Sequence, residues 1–494
     1  MAELTNPKMS EDERQVVQRV PTKLWINGEW RDGTAGTLDV HDPSTGEVIA
    51  SVADATPEDG LAALGAAADA QPTWAATPPR DRAEILRRAF EAIMSRADEL
   101  ALLMTLEMGK PVAESRGEIT YAAEFLRWFS EEACRVEGDY RVAPAGNTRI
   151  LTMRQPVGPC LFITPWNFPT AMGTRKIGPA VAAGCTMVVK PASETPLSML
   201  ALAAIFDEVG LPKGVLNVVT TSSSGAVMEP LIRDQRLRKL SFTGSTEVGR
   251  RLVEQSAQQL LRVSMELGGN APFLVFEDAD LDAAVNGALT AKMRNIGEAC
   301  TAANRFLVHE SVAEDFSARL AKAMGGLKVG RGTEEGVQVG PLITDKARQG
   351  VAEMVEDATE RGARVLTGGN ALPGPGHFYE PTVLADVAAD ARVLKEEIFG
   401  PVAPITTFGK DEEAIAQANS SEYGLITYLF TQNLNRALLV SEALEFGMVG
   451  LNAGVISNPA APFGGVKASG FGREGGREGI QEYLDVKYVG IGNL

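Results

Sequence analysis

Apolar and polar positions follow two regimes along the chain. Near the start, Leu24-Trp25-Ile26 and Trp30 flank Asn27-Gly28, a pairing that predicts a hairpin. The first 20 residues, through Glu11-Asp12-Glu13-Arg14, read as a polar lead lying on the surface. Thr56-Pro57-Glu58-Asp59 opens an alanine-rich helix with an N-cap, a proline in the first turn and acidic residues after it. Long amphipathic helices are predicted across 80–109 and 113–136.

From about 157 the pattern changes to short apolar runs between helical stretches. Leu161–Thr164, Thr186–Val189, Val215–Val219, Leu240–Phe242 and Val263–Met265 read as strands buried on both faces, which predicts a parallel sheet in an α/β fold. Alternation resumes after 268 with a helix at 279–294 and a strand at 305–309. A further helix is expected to start at a capping box formed by Ser311 and Glu314. Residues 268–454 therefore form a second α/β unit. The tail, Tyr483–Val489, alternates as a strand but has no hairpin mate, so pairing with another subunit is expected.

Composition narrows the function classes. The charge of −17 is spread along the chain, which gives no basic stripe for a nucleic acid. Four cysteines without a CxxC and three histidines without ligand spacing argue against a zinc cage, a disulfide framework or a His-ligated metal. They suit a reducing, cytoplasmic setting. No 18-residue apolar run and no leader with an apolar centre are visible, so no membrane association is expected.

Several segments carry chemistry. Cys300 lies three residues after Gly297, which interrupts a helical pattern, and just before a strand; a thiol on such a junction can face a substrate while rigid elements fix it. Most free cysteines are small core residues, and that remains the plain alternative. Glu266, at the end of an apolar strand and before Gly268-Gly269, is expected to have a raised pKa suited to a general base. Asn167, between Pro165 and Pro169, offers a preorganised amide donor, or simply forms a turn. Lys190, Ser193 and the Gly244-Ser245 turn follow strand ends, where the ribose and phosphates of a dinucleotide bind. The spacing is not GxGxxG, so this signal alone is weak. Glu396–Val402 and Pro462–Lys467 read as rigid turns.

Taken together and in order, PWNFP, KPAS, FTGS, ELGGN, the cysteine junction, EEIFGPV and PFGG resemble the NAD(P)-dependent aldehyde dehydrogenase superfamily, from about residue 22 onward. The resemblance implies an α/β fold with a Rossmann-type cofactor domain (1–136 and 157–267), a catalytic domain (268–454) and a small β oligomerisation arm (137–156 and 478–494). It implies Cys300 as nucleophile, Asn167 with the Cys300 amide as oxyanion donors, and Glu266 as the base that hydrolyses a thioester. Trp166, Lys190, Ser193, Gly244, Ser245, Glu397 and Phe399 would line the cofactor site, and no metal is implied.

Within the superfamily the chain is most similar to the succinate-semialdehyde dehydrogenase family, whose substrate positions match Arg175, Arg294 and Ser457. Two guanidinium groups and a hydroxyl suit a distal carboxylate, although the arginines could instead be structural ion-pair partners. The expected activity is oxidation of succinate semialdehyde to succinate. Glutarate semialdehyde, a general aldehyde, or a catalytically silent binding role are the alternatives. Serine at 193 permits NADP as well as NAD, with NADP favoured, and a homodimer or homotetramer is implied. Ala302 stands where several family members carry a second cysteine, so no disulfide switch is expected. Glu298 stands where glutamine is more usual.

Overall fold

Doubly buried apolar runs become the central strands of two sheets in the computed structural model, which describes residues 8–492. In chain order, helix α1 (Glu11–Gln18) precedes the hairpin β1 (Leu24–Ile26) and β2 (Glu29–Arg31). Helix α2 (Val112–Glu132) leads to β3 (Asp139–Val142), β4 (Thr148–Pro156) and β5 (Cys160–Ile163). Helix α3 (Ala171–Ala183) follows, then β6 (Met187–Lys190), β7 (Leu216–Val218), β8 (Lys239–Thr243) and β9 (Arg262–Glu266).

Beyond the crossing at 267–270 lie β10 (Ala271–Val275), helix α4 (Leu281–Met293) and β11 (Ala303–His309). Next come β12 (Arg364–Thr367), β13 (Thr382–Ala385), β14 (Val402–Phe408), β15 (Ile426–Phe430), helix α5 (Leu434–Ala443) and β16 (Met448–Leu451). The chain closes with β17 (Gly470–Phe471) and β18 (Leu484–Gly492).

The first sheet has the order β2-β1-β7-β6-β5-β8-β9-β17, with β5 to β9 parallel and the outer strands antiparallel. The chain winds from β5 through β6 to β7, then returns to place β8 on the other side of β5. The ends of β5 and β8 therefore flank a topological switch point, where open α/β sheets leave a crevice. The second sheet, β12-β13-β14-β11-β10-β15-β16, is parallel except at β12. A third sheet, β18-β4-β3, is antiparallel.

Several expectations are corrected. Residues 8–20 are not a loose lead: Ser10 and Glu13 form a capping box, Val16 and Val17 are buried, and Glu13 reaches Arg331. Residues 1–7 of the expected lead lie outside the described residues. The helix at 80–109 is two, Pro79–Ser95 and Ala97–Met108, broken at Arg96. The helix after β11 starts at Ala313 without a side-chain cap, because the Ser311 hydroxyl is engaged with His309. The tail strand does have a mate in its own chain: β18 pairs with β4 over nine residues. β17, which the sequence pattern does not predict, joins the first sheet beside β9. No helix among the described residues is long and apolar enough to cross a membrane.

Arg331 ties distant parts together, binding Glu13 of α1 at 2.9 Å and Asp42 at 3.0 Å, all three side chains being buried. Replacing one partner of a buried ion pair leaves uncompensated charge, at a cost of about 3–5 kcal/mol. Arg331→Ala is therefore expected to lower the thermal unfolding midpoint by several degrees, and Arg331→Lys by less, as followed by circular dichroism.

Candidate active site

The two sheets meet at Glu266–Asn270. Glu266 ends β9 in register with Thr243 of β8, and the chain then crosses to β10. Gly269 is pressed so closely on this crossing that a Cβ there would lie 2.3 Å from the Cys300 carbonyl oxygen. That contact places the thiol of the second unit against the carboxyl-end face of the first sheet.

The junction before β11 differs from the expected glycine break. Helix α4 stops at Met293, and Asn295 (φ 55°), Ile296 (φ 64°) and Gly297 (φ 82°) take left-handed conformations in succession. Gly297 packs so tightly that a Cβ would lie 2.2 Å from the Gly400 carbonyl oxygen. Arg294 is thereby delivered to one wall of a cleft and Cys300 to its floor.

That cleft, about 280 Å3, brings together Cys300, Glu266, Asn167, Arg175, Arg294 and Ser457. Trp166, Gly244, Ser245, Glu397 and Phe399 line it too, with Trp166 and Phe399 in edge contact at 5.4 Å. Lys190 and Ser193 do not line the cleft; Lys190 ends the neighbouring strand β6, in register with Ile163 of β5, and Ser193 follows it. A larger open depression of about 1620 Å3, lined by residues such as Ser317, Thr367 and Asp386, holds none of these groups.

Burial dominates the electrostatics. It pushes the Cys300 thiol up to about 12, with Glu397 and Glu266 adding to the effect and Arg175 and Arg294 opposing it. Glu266 is raised well above the carboxylate range, first by burial and then by Glu474, while Arg175, Lys176 and Arg473 pull it down. Both Glu266 oxygens are buried without a hydrogen-bond partner. A thiol and a carboxyl that both keep their protons make the resting site electrically quiet.

Asn167 is fixed on every side. Its carbonyl oxygen accepts from Lys110 Nζ (2.7 Å) and Asn295 Nδ2 (3.0 Å), and its Oδ1 accepts from the Phe168 amide (3.1 Å). Its Nδ2 donates one proton to the Glu298 carbonyl at 2.9 Å, which leaves the second amide proton for another acceptor. Glu298 is fully buried, with Oε1 accepting from the Ile343 amide and Oε2 unpartnered. Burial raises its pKa well above the ordinary value, so it stands as a neutral carboxyl much as a glutamine would.

The two arginines are not equivalent. Arg175 Nη2 lies 2.8 Å from Glu474 Oε2, and its guanidinium stacks 4.0 Å from the centre of the Phe463 ring. Arg294 has no carboxylate within 4.0 Å among the described residues; its Nη1 reaches Ser457 Oγ at 3.4 Å. The cleft therefore offers one neutralised and one unneutralised cation.

Glu474 also binds Lys176, whose Nζ reaches Thr243 Oγ1 at 2.8 Å. These two, with Tyr121 and Phe463 of the cleft wall, escaped the sequence reading. Lys176 directly follows Arg175 in the sequence, a faint signal for paired charges on one helix. Nothing local marks Glu474.

Lys190 Nζ makes no hydrogen bond or ion pair to the described residues, and burial lowers its pKa to about 8. An unpartnered ammonium at the carboxyl end of a parallel strand fits ribose hydroxyls. Glu397 accepts from the Gly269 amide at 3.0 Å, and burial pushes it to about 7. Ser193 Oγ donates to Glu194 at 3.1 Å, so that carboxylate does turn toward the serine. The residues present fit a nicotinamide dinucleotide.

Comparison with known proteins agrees with this chemistry. Residues 30–489 match the model of the aldehyde dehydrogenase family. A succinate-semialdehyde dehydrogenase of Paenarthrobacter nicotinovorans is 61% identical over 444 residues, covering 90% of this chain and 99% of the relative. A glutarate-semialdehyde dehydrogenase of Pseudomonas putida is 51% identical over 470 residues, covering 95% and 97%. The crystal structure of an E. coli NADP-dependent enzyme superposes with a TM-score of 0.95 at 50% identity, covering 98% of this chain and 100% of that one.

With the thiol pushed to about 12, alkylation of Cys300 by iodoacetamide in the cofactor-free protein is expected to rise about tenfold per pH unit from roughly pH 7 to 10, without the plateau of an ordinary thiol. Peptide mass spectrometry separates Cys300 from the exposed Cys134.

Proposed function

We propose, since the chain belongs to the aldehyde dehydrogenase family, that it oxidises succinate semialdehyde to succinate with NADP or NAD. The observation that carries the substrate assignment is the Arg294 guanidinium, which lies over the Phe168 and Tyr121 rings, reaches the Ser457 hydroxyl and has no carboxylate partner among the described residues, in the same cleft of about 280 Å3 as Cys300. A carboxylate there completes the charge, and a charge-assisted hydrogen bond contributes roughly 1.5–3 kcal/mol. Arg175, already facing Glu474, plays the lesser part.

Cys300 Sγ attacks the aldehyde carbon; a C–S bond forms and the carbonyl pair moves to oxygen. The free Asn167 amide proton and the Cys300 backbone amide hold that oxyanion, and losing such a donor costs about 10²–10³ in rate. Glu266, whose two oxygens are otherwise unpartnered, first gives up its own proton to solvent and then, as the carboxylate, accepts the thiol proton and releases it in turn. When bound, the oxidised nicotinamide accepts the hydride that leaves the thiohemiacetal carbon. Glu266, again ionised, takes a proton from water attacking the thioester; the C–S bond breaks, that proton returns to the Cys300 sulfur, and the acid departs.

The cofactor would lie along the carboxyl ends of β5, β6 and β8, held by Lys190 and Glu397 with Trp166, Gly244, Ser245 and Phe399 around it. Serine at 193 leaves room for a 2′-phosphate, and Lys190 supplies charge; Glu194 opposes it in part. NADP is therefore accepted and favoured, which agrees with the similarity to the E. coli NADP-dependent enzyme. A cytoplasmic setting accords with four free cysteines.

The reading includes a homodimer or homotetramer assembled through β18-β4-β3. That sheet has two open edges and exposes Tyr140, Val142, Val486 and Tyr488. The outer edge of β16 has no pairing strand among the described residues, and α5 exposes Leu434, Leu438 and Leu439. A longer substrate, glutarate semialdehyde, is the second reading, because one methylene is worth only about 1–3 kcal/mol.

Absorbance of the reduced nicotinamide, followed with succinate semialdehyde, glutarate semialdehyde and butanal, tests the assignment. kcat/KM for succinate semialdehyde is expected to exceed that for butanal by about tenfold or more, and Arg294→Ala to erase more of that preference than Arg175→Ala. Equal values for the three aldehydes would make this a general aldehyde oxidiser. Light scattering on the eluting protein is expected to give twice or four times the chain mass; a monomer would refute the assembly.

A further inference from the structure

The segment carrying Arg294 is held from behind by a group outside the cleft. Asn295 and Ile296 are non-glycine residues in the left-handed region, a conformation that persists only where its surroundings enforce it. Glu114, on α2, accepts the Asn295 backbone N–H at 2.7 Å through Oε2. The Asn295 side chain completes the fixture by donating to the carbonyls of Asn167 (3.0 Å) and Glu298 (2.8 Å).

Glu114 feels the charge of Arg294 yet lies beyond 4.0 Å from its guanidinium, its hydrogen bond going to the backbone instead. The carboxylate thus anchors the arginine's main chain while leaving its head available to another anion. Lys110 and Glu118 stand on the same face. Lys110 Nζ bridges Glu118 (2.6 Å) and the Asn167 carbonyl (2.7 Å), and Glu118 Oε1 accepts from the amides of Thr170 and Ala171 (3.0 and 3.1 Å) at the start of α3.

We propose that Glu114 is a positioning residue for substrate selection: by binding the Asn295 N–H it fixes the left-handed turn that sets the Arg294 guanidinium at its distance from Cys300. This rests on the reading of Arg294 as the carboxylate anchor. Glu114 touches neither substrate nor reacting atoms. Its removal therefore loosens recognition of the distal carboxylate while leaving the chemistry on a plain aldehyde in place.

The test compares kcat/KM for succinate semialdehyde and butanal in the wild type and in Glu114→Ala, Glu114→Met, Glu114→Gln and Arg294→Ala. Methionine keeps the side-chain volume without the acceptor, so a poorly folding alanine variant does not end the experiment. Glutamine keeps an acceptor and is the rescue. The expected result is a fall of about tenfold in the semialdehyde-to-butanal preference for alanine and methionine, carried by KM, with butanal turnover within about threefold of wild type. Glutamine is expected to restore most of the preference. Equal losses on both aldehydes, or an unchanged preference where Arg294→Ala lowers it, overturn the role of Glu114 and leave the Arg294 reading standing. A preference unchanged by Arg294→Ala overturns that reading, and this proposal with it.

Discussion

The catalytic cleft depends on one close approach, that of Gly269 to the carbonyl oxygen of Cys300. A Cβ at 269 would sit 2.3 Å from that oxygen, so any side chain would part the two sheets at the point where they meet. The same glycine offers its amide to Glu397. Cys300, Glu266 and Glu397 are therefore placed around an approach of backbone to backbone. Gly268 repeats the theme: a Cβ there would fall 2.8 Å from Glu397 Oε2.

Around this contact the protein buries several charges, some tied to backbone and some to one another. Lys110 and Glu118 hold the turn bearing Asn167 and the first amides of α3. Glu474 gathers Arg175 and Lys176. Such pairs are costly to desolvate, and they are weak evidence for stability; what they supply here is orientation. Dipoles fixed before the substrate arrives need no rearrangement when charge develops on it. Cys300 and Glu266 both retain their protons at rest, and the charges that act on the thiol from the cleft include the cations Arg175 and Arg294.

Much of this was legible in the sequence because it is local. Doubly apolar runs such as Met187–Val189 have no other stable home than a covered parallel strand, and the Asn27-Gly28 hairpin is dictated by two left-handed residues. The cleft residues Asn167, Glu266 and Cys300 sit at strand ends or junctions, where chain direction changes and composition betrays it. The misses are tertiary. Lys110 and Glu118 look like solvated charges of an amphipathic helix, since their partners lie about 50 residues downstream. The mate of β18 is more than 300 residues upstream, so no hairpin signal exists. Ser311 carries the letters of a cap, but its hydroxyl is drawn to His309. Residues 8–20 read as a lead because the partner of Glu13 is Arg331.

The placement of Lys110, Glu114 and Glu118 behind the cleft has an evolutionary consequence. The groups that hold Asn167 act on main chain, while Arg294, Ser457 and Tyr121 line the cleft. A lineage can therefore exchange the residues of the wall one at a time, trading one acyl chain for another, without dismantling the machinery that makes and breaks the thioester. Innovation in substrate range and conservation of chemistry are separated by the thickness of a single turn of backbone.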